Sequence, residues 1–178
     1  SYPYLIYELV HTIPVHEDIP LIEKVRKNTL FYPHNTLQKI IKGLWLTISD
    51  CGTYNANSCF KRNQYVSSYI FLFMSIEAIL RMAYLLNKKY FPHTTWLEKE
   101  LVTLPHYFGL KHFAENIQNM DLEQKLEAHK EIIKKMNVFM SENSILAQKL
   151  IDDPWSVVHE DYYVFNPMRF GWDELKRD

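Results

Sequence analysis

Glycine is nearly missing from this chain: four residues in 178. So sparse a supply leaves no glycine-rich loop to cradle phosphate and few tight hairpins. Cysteine is scarcer still. Cys51 and Cys59 are the two thiols. No CxxC joins them, and two thiols do not make a disulfide framework, so a reducing, cytoplasmic setting is the simplest expectation. Net charge is small: the formal value of −1 gives no global field toward nucleic acid or an anionic membrane. The eight histidines contain no HxxxH and no His/Cys cluster at zinc spacing, so no metal site is expected. His159-Glu160-Asp161 reads as a solvated loop. No GxSxG, P-loop or Rossmann fingerprint occurs, and neither cysteine has a partner that would mark it as a nucleophile. A leader with a charged stretch and an apolar run is absent from the first residues, so no signal peptide is expected. Ser1-Tyr2-Pro3 lacks an initiator Met, which leaves room for a preceding domain.

What the chain does have is apolar surface at helical spacing. Hydrophobic residues make up 47% and charged residues 23%, ordinary for a globular domain with a real core. Strand-like alternation is almost absent. The expected class is all-α: a helical bundle around one central hydrophobic helix, ending in an irregular aromatic tail. One domain is expected over 1–178. It comprises an arm and short helix in 1–34, with the helix over Leu21–Asn28, then the bundle in 35–153 and the tail in 154–178. Asn35-Thr36-Leu37-Gln38 has capping-box form. Leu37, Ile40, Ile41, Leu44, Trp45 and Ile48 then recur at helical spacing and predict a helix over Asn35–Asp50. A kink or stop is expected at Cys51-Gly52, followed by a polar segment over Thr53–Asn63.

The central helix is expected over Gln64–Lys89, with Ile70–Leu86 mostly buried. Its run YIFLFMSIEAILRMAYLL is long enough to cross a membrane. Glu77 and Arg81 in its middle each oppose insertion by roughly 2.5–3.5 kcal/mol, so a buried bundle helix is the better reading and no membrane is expected. Thr95-Trp96-Leu97-Glu98 has capping-box form and predicts a short helix ending before Pro105. Gly109 opens another, toward Asn119. Asp121-Leu122-Glu123-Gln124 caps a last long helix, predicted to reach Ile151 with an interruption at Asn143-Ser144. Trp155, Tyr162, Tyr163, Phe165, Phe170 and Trp172 crowd the tail, where Pro154, Pro167 and Gly171 prevent a long helix.

The richest stretch is YLLNKKYFPHTTW, Tyr84 to Trp96. Lys88 and Lys89 suit the negative end of a helix dipole, and Pro92 stops the helix. Those roles explain the prolines and caps. They explain less well why Tyr90, Phe91 and Trp96 gather beside two lysines, which would set stacking faces next to positive charge. Glu77 and Arg81 form an i,i+4 pair on an apolar helix. Such pairs are most often structural, and a buried charge also marks a candidate catalytic base, here Glu77.

Tyr54-Asn55, Arg62, the string Leu86-Asn87-x-x-Tyr90-x-Pro92 with Trp96, and Leu104-Pro105 together resemble a helical domain of unknown function. That domain follows minimal, kanamycin-nucleotidyltransferase-like nucleotidyltransferase domains. This chain has Ser58, Gln64 and Thr95 where the pattern often carries a basic, an acidic and a lysine residue. The resemblance implies a substrate- or nucleotide-contacting helical module beside a nucleotidyltransferase domain, either N-terminal or on a separate chain. That domain would hold magnesium and the nucleoside triphosphate through a Gly-Ser turn and paired carboxylates, neither of which is recognisable here. No cofactor is expected in this chain. The candidate ligand contacts are Tyr54, Asn55, Arg62, Arg81, Asn87, Lys88, Tyr90 and Trp96. All but Arg81 are expected around one concavity, which requires Thr53–Asn63 to fold back. The alternative is a non-enzymatic interaction or dimerisation domain, with a second copy of the chain as partner.

Overall fold

The computed structural model describes Tyr7, Glu8, His11 and residues 31–155, and among these there is no strand. The predicted Leu21–Asn28 helix and the tail rings beyond Trp155 lie outside the described residues.

Helix α1 spans His34–Thr47 and buries Ile40, Ile41, Leu44 and Trp45. Pro33, not Asn35, is its N-cap, and no side chain caps it. The Pro33 carbonyl accepts from Leu37 N at 2.9 Å and so starts the first turn two residues before the predicted cap. The helix does not stop at Gly52. It widens into a π-helix over Ile48–Ala56 and narrows again as α2, Asn57–Lys61. The wide i→i+5 turn sets side chains five residues apart over one another's carbonyls. Asn55 Nδ2 accordingly donates to Asp50 O at 3.0 Å, and Asn57 Nδ2 to Gly52 O at 3.1 Å. The expected stop at Cys51-Gly52 does not occur, and residues 53–61 of the expected polar segment are helical.

Helix α3, Tyr65–Leu86, runs antiparallel to this rod: Ser68 Oγ donates to Ala56 O at 2.8 Å and Ser75 Oγ to Ile48 O at 3.2 Å. Leu72, Ile79, Met82 and Ala83 are wholly buried. Burial is nearly continuous from Ser75 onward, but Ile70 and Phe73 are exposed, against expectation, because no described helix covers that face. Among the described residues α3 is the one helix long and apolar enough to cross a membrane, and 56% of its apolar window is buried in the protein.

The expected helix at Thr95 is instead two 3-10 turns, Thr94–Trp96 and Lys99–Thr103, with His93 rather than Thr95 at the first N-cap. Helix α4 is Leu110–Asn116, entered through Gly109 at φ 91°. Helix α5, Leu122–Glu142, carries the predicted cap: Gln124 N donates to Asp121 Oδ1 at 2.8 Å, and Asp121 N to Gln124 Oε1 at 2.9 Å. The helix breaks after Glu142 and resumes as α6, Gln148–Asp152. Trp45 Nε1 donates to Leu150 O at 2.9 Å, and Gln38 Nε2 to Ile145 O at 3.0 Å, tying this end to α1.

Helices α2, α3 and α5 end alike. Asn63, Lys88 and Ser144 each take a left-handed φ of 51–59°. After each, the next residue's N–H reaches back five residues: Gln64 to Cys59 O, Lys89 to Tyr84 O and Ile145 to Met140 O, at 2.9–3.0 Å. These are Schellman caps built without glycine at the left-handed position.

Candidate functional site

The exit of α3 is a bracket. Arg81 Nη2 pairs with Glu77 Oε1 at 2.6 Å, and the Thr94 hydroxyl donates to the same oxygen at 2.9 Å. The Arg81 guanidinium lies 5.4 Å from the Phe91 ring centroid. Its Nε is buried and unpartnered. Asn87 clamps a distant backbone from both sides: its Nδ2 donates to His106 O at 2.6 Å and its Oδ1 accepts from His106 N at 2.9 Å. Lys89 Nζ donates to Thr103 O at 2.7 Å, and the buried Tyr84 hydroxyl to Leu97 O at 2.8 Å. Tyr90 is buried with its ring 4.7 Å from Tyr32 and 5.5 Å from Phe31. Burial raises the Tyr90 phenol, and raises Tyr32 further with Tyr90 beside it. Most of the string therefore fastens residues 87–106 onto the bundle.

Two candidate contacts of the string are exposed, Lys88 and Trp96. Lys88 is exposed at the left-handed cap. Trp96 is 50% exposed, with Lys99 Nζ 4.8 Å from its ring centroid. Thr94, two residues before Trp96, joins the turn to the Arg81–Glu77 ion pair, so among the described residues the ring stands beside one free cation, Lys99, and a paired one.

Tyr54, Asn55 and Arg62 are not part of it. Arg62 lies just ahead of α3, where Gln64 N bonds Cys59 O, and Tyr54 and Asn55 sit on the antiparallel rod next to Ala56, which meets α3 at Ser68, while Asn87 follows the last residue of α3. A 22-residue helix at about 1.5 Å per residue sets Arg62 and Asn87 roughly 30 Å apart. The fold-back of Thr53–Asn63 that a single concavity requires does not occur, because residues 53–61 continue the first rod. Asn55 spends its amide on Asp50, and Arg62 Nη2 turns back to Cys59 Sγ at 3.8 Å.

Two further features escaped the sequence reading. Pro105, His106, Tyr107 and Phe108 face Lys135, Val138, Phe139 and Glu142 of α5 across an open cavity of about 380 Å³. Asn87 holds one wall of it through His106. The other feature is buried. His129 Nε2 and Ser75 Oγ are 2.7 Å apart, and a Cβ on Gly52 would lie 2.3 Å from the His129 ring. With its one proton on the Ile48 carbonyl, the Ser75 hydroxyl accepts from the Nε2–H of a neutral imidazole. Burial lowers the His129 pKa to about 4. The only sequence signals were a Ser, a Gly and a His on otherwise apolar faces.

Cys51 is buried, and that burial, with Asp50 nearby, pushes its thiol up to about 11, far from a nucleophilic thiolate. Among the described residues no three His, Cys, Asp or Glu side chains gather as a metal site would require.

A family model described as a domain of unknown function, DUF4037, matches residues 8–97, just over half of the chain. The chain belongs to the DUF4037 family. No curated protein matches the chain, and no solved structure does. The DUF4037 segment takes in α1, the π-helix, α2, α3 and the first 3-10 turn, and it contains every candidate ligand contact. It ends at Leu97, the carbonyl that receives Tyr84. The cavity and His129 lie beyond it.

Proposed function

We propose that this DUF4037 chain is the helical, substrate- or nucleotide-contacting companion of a nucleotidyltransferase domain. That domain, N-terminal or on another chain, supplies the magnesium and the nucleoside triphosphate. The observation that carries the reading is Trp96: a half-exposed indole held on a bracketed turn, with Lys99 against its ring and Lys88 and Arg81 on the same exit. A large ring beside a cation suits a base and its phosphates. In that role the module positions substrate and closes the cleft, and the metal chemistry belongs to its partner.

Tryptophan emission during titration with magnesium and the common nucleoside triphosphates tests this. Quenching is expected in the parent, weaker quenching in Lys99→Ala and none in Trp96→Phe. A silent parent, or a Trp96→Phe variant that responds like the parent, removes nucleotide contact from the proposal. The second reading, a non-enzymatic interaction domain, is favoured by a different surface: the uncovered face of α3.

A further inference from the structure

Among the described residues one face of α3 is left uncovered, and it is a straight apolar strip. Val66 is 75% exposed, Ile70 55% and Phe73 45%. Their 4-3 spacing continues to Glu77 and keeps all four within a narrow arc of the helix, the pattern of a helix-pairing seam. Tyr69 stacks on Phe73 along one edge, at 6.1 Å between ring centroids. Solitary exposed apolar residues are ordinary, but a row of them on a bundle's central helix marks an interaction surface.

The strip is complementary to itself. A two-fold axis between Tyr69 and Ile70, set across the helix, pairs Val66 of one copy with Phe73 of the other, a small side chain against a large one. It sets Ile70 beside Tyr69. The same axis carries the exposed Lys61-Arg62 corner, just ahead of α3, toward Glu77 of the second copy. The Glu77 side chain is 42% exposed and its Oε1 serves Arg81 and Thr94, which leaves Oε2 to meet a second cation. Size and charge thus alternate so that the face matches an antiparallel copy, as an isologous interface requires. A parallel pairing would set Phe73 on Phe73 and Glu77 on Glu77. A membrane is the poorer occupant, because Glu77 and Arg81 lie on or beside the strip.

We propose that this chain self-associates through a two-fold antiparallel pairing of α3 along Val66, Ile70 and Phe73. One helix face is smaller than the roughly 800 Å² per partner of a standard stable interface, so the pair exchanges at micromolar protein. This proposal is independent of nucleotide contact at Trp96.

Sedimentation equilibrium of the full chain, from micromolar to near-millimolar protein, is the first test. The mean mass is expected to climb toward twice the 21.4 kDa of one chain, and Ile70→Glu to hold it at 21.4 kDa with an unchanged melting temperature. Register is the second test. Ile70→Cys sits beside the axis and is expected to close a disulfide with its own copy under mild oxidation. Val66→Cys is not, because its two positions lie about 10 Å apart along the helices, beyond disulfide reach. Cys51 and Cys59 are buried and do not compete. A parent that stays at 21.4 kDa overturns the proposal, whether or not it binds anionic vesicles. So does a dimer indifferent to Ile70→Glu, or a Val66→Cys chain that cross-links as readily as Ile70→Cys. A monomeric parent whose melting temperature falls sharply with Ile70→Glu would show the strip covered by the chain's own segments, which also overturns it.

Discussion

His129 shows how one residue decides the behaviour of its neighbours. Its ring fills the space that a Gly52 side chain would need, so glycine is kept inside a helix that otherwise penalises it. Its neutral form is the one the fold accepts, with a pKa lowered by burial from 6.5 to about 4. The unfolded chain therefore binds a proton between those values while the folded chain does not. Stability contributed by the neutral ring is complete above about pH 6.5 and falls as the pH drops toward 4. The loss is expected to be on the order of 3 kcal/mol from this residue alone. Chemical denaturation at pH 7 and pH 4.5 measures it. His129→Gln keeps a donor without the titration and should flatten the difference between the two pH values, even if it lowers stability at both.

At the scale of elements, the non-glycine caps are the readiest place to gain stability. Asn63, Lys88 and Ser144 carry Cβ atoms in a left-handed backbone that costs roughly 1–2 kcal/mol for most L-residues, least for Asn. Lys88→Gly and Ser144→Gly should each raise stability by about 1 kcal/mol, and Asn63→Gly by less, as read by urea midpoints. Lys88→Gly also separates two roles, since a stabilised variant with weakened nucleotide response would assign the Lys88 amine to ligand contact. Elements set by local rules were legible in advance: the Asp121/Gln124 box, the break at Asn143-Ser144, and the apolar periodicity of α3 and α5. The π-helix was not, because its i→i+5 geometry breaks the hundred-degree period, and Cys51-Gly52 reads as a kink or stop. Gly52 is helical on account of His129, far along the chain, and no local window contains that information. The candidate site failed as one site for a related reason. An unbroken α3 holds Arg62 and Asn87 at its two ends, and motif order carries no sign of that distance.

For the whole molecule, the question is whether it acts alone. The sequence offers no carboxylate pair beside a Gly-Ser turn, and transfer by that mechanism needs metal-holding carboxylates. Purified chain given labelled nucleoside triphosphates, magnesium or manganese, and mixed acceptors is expected to show only background transfer. Turnover abolished by Glu77→Gln would instead make that carboxylate a base and the chain an enzyme. The family boundary at Leu97 divides the molecule into two unequal parts. The rod and α3 come from one stretch, and the later helices close over it.

The contacts that close it also set an order of assembly. Ser68 and Ala56 are 12 residues apart in sequence, Ser75 and His129 54, and Trp45 and Leu150 105. The entropy of loop closure rises with the logarithm of that span, about 0.6 kcal/mol for each doubling. The rod-and-α3 hairpin is therefore the cheapest structure to nucleate, α5 the next to dock, and the α6 corner the last. Transient opening runs the other way. The Trp45–Leu150 latch should release before the His129 plug, and the helices of the DUF4037 segment should outlast both.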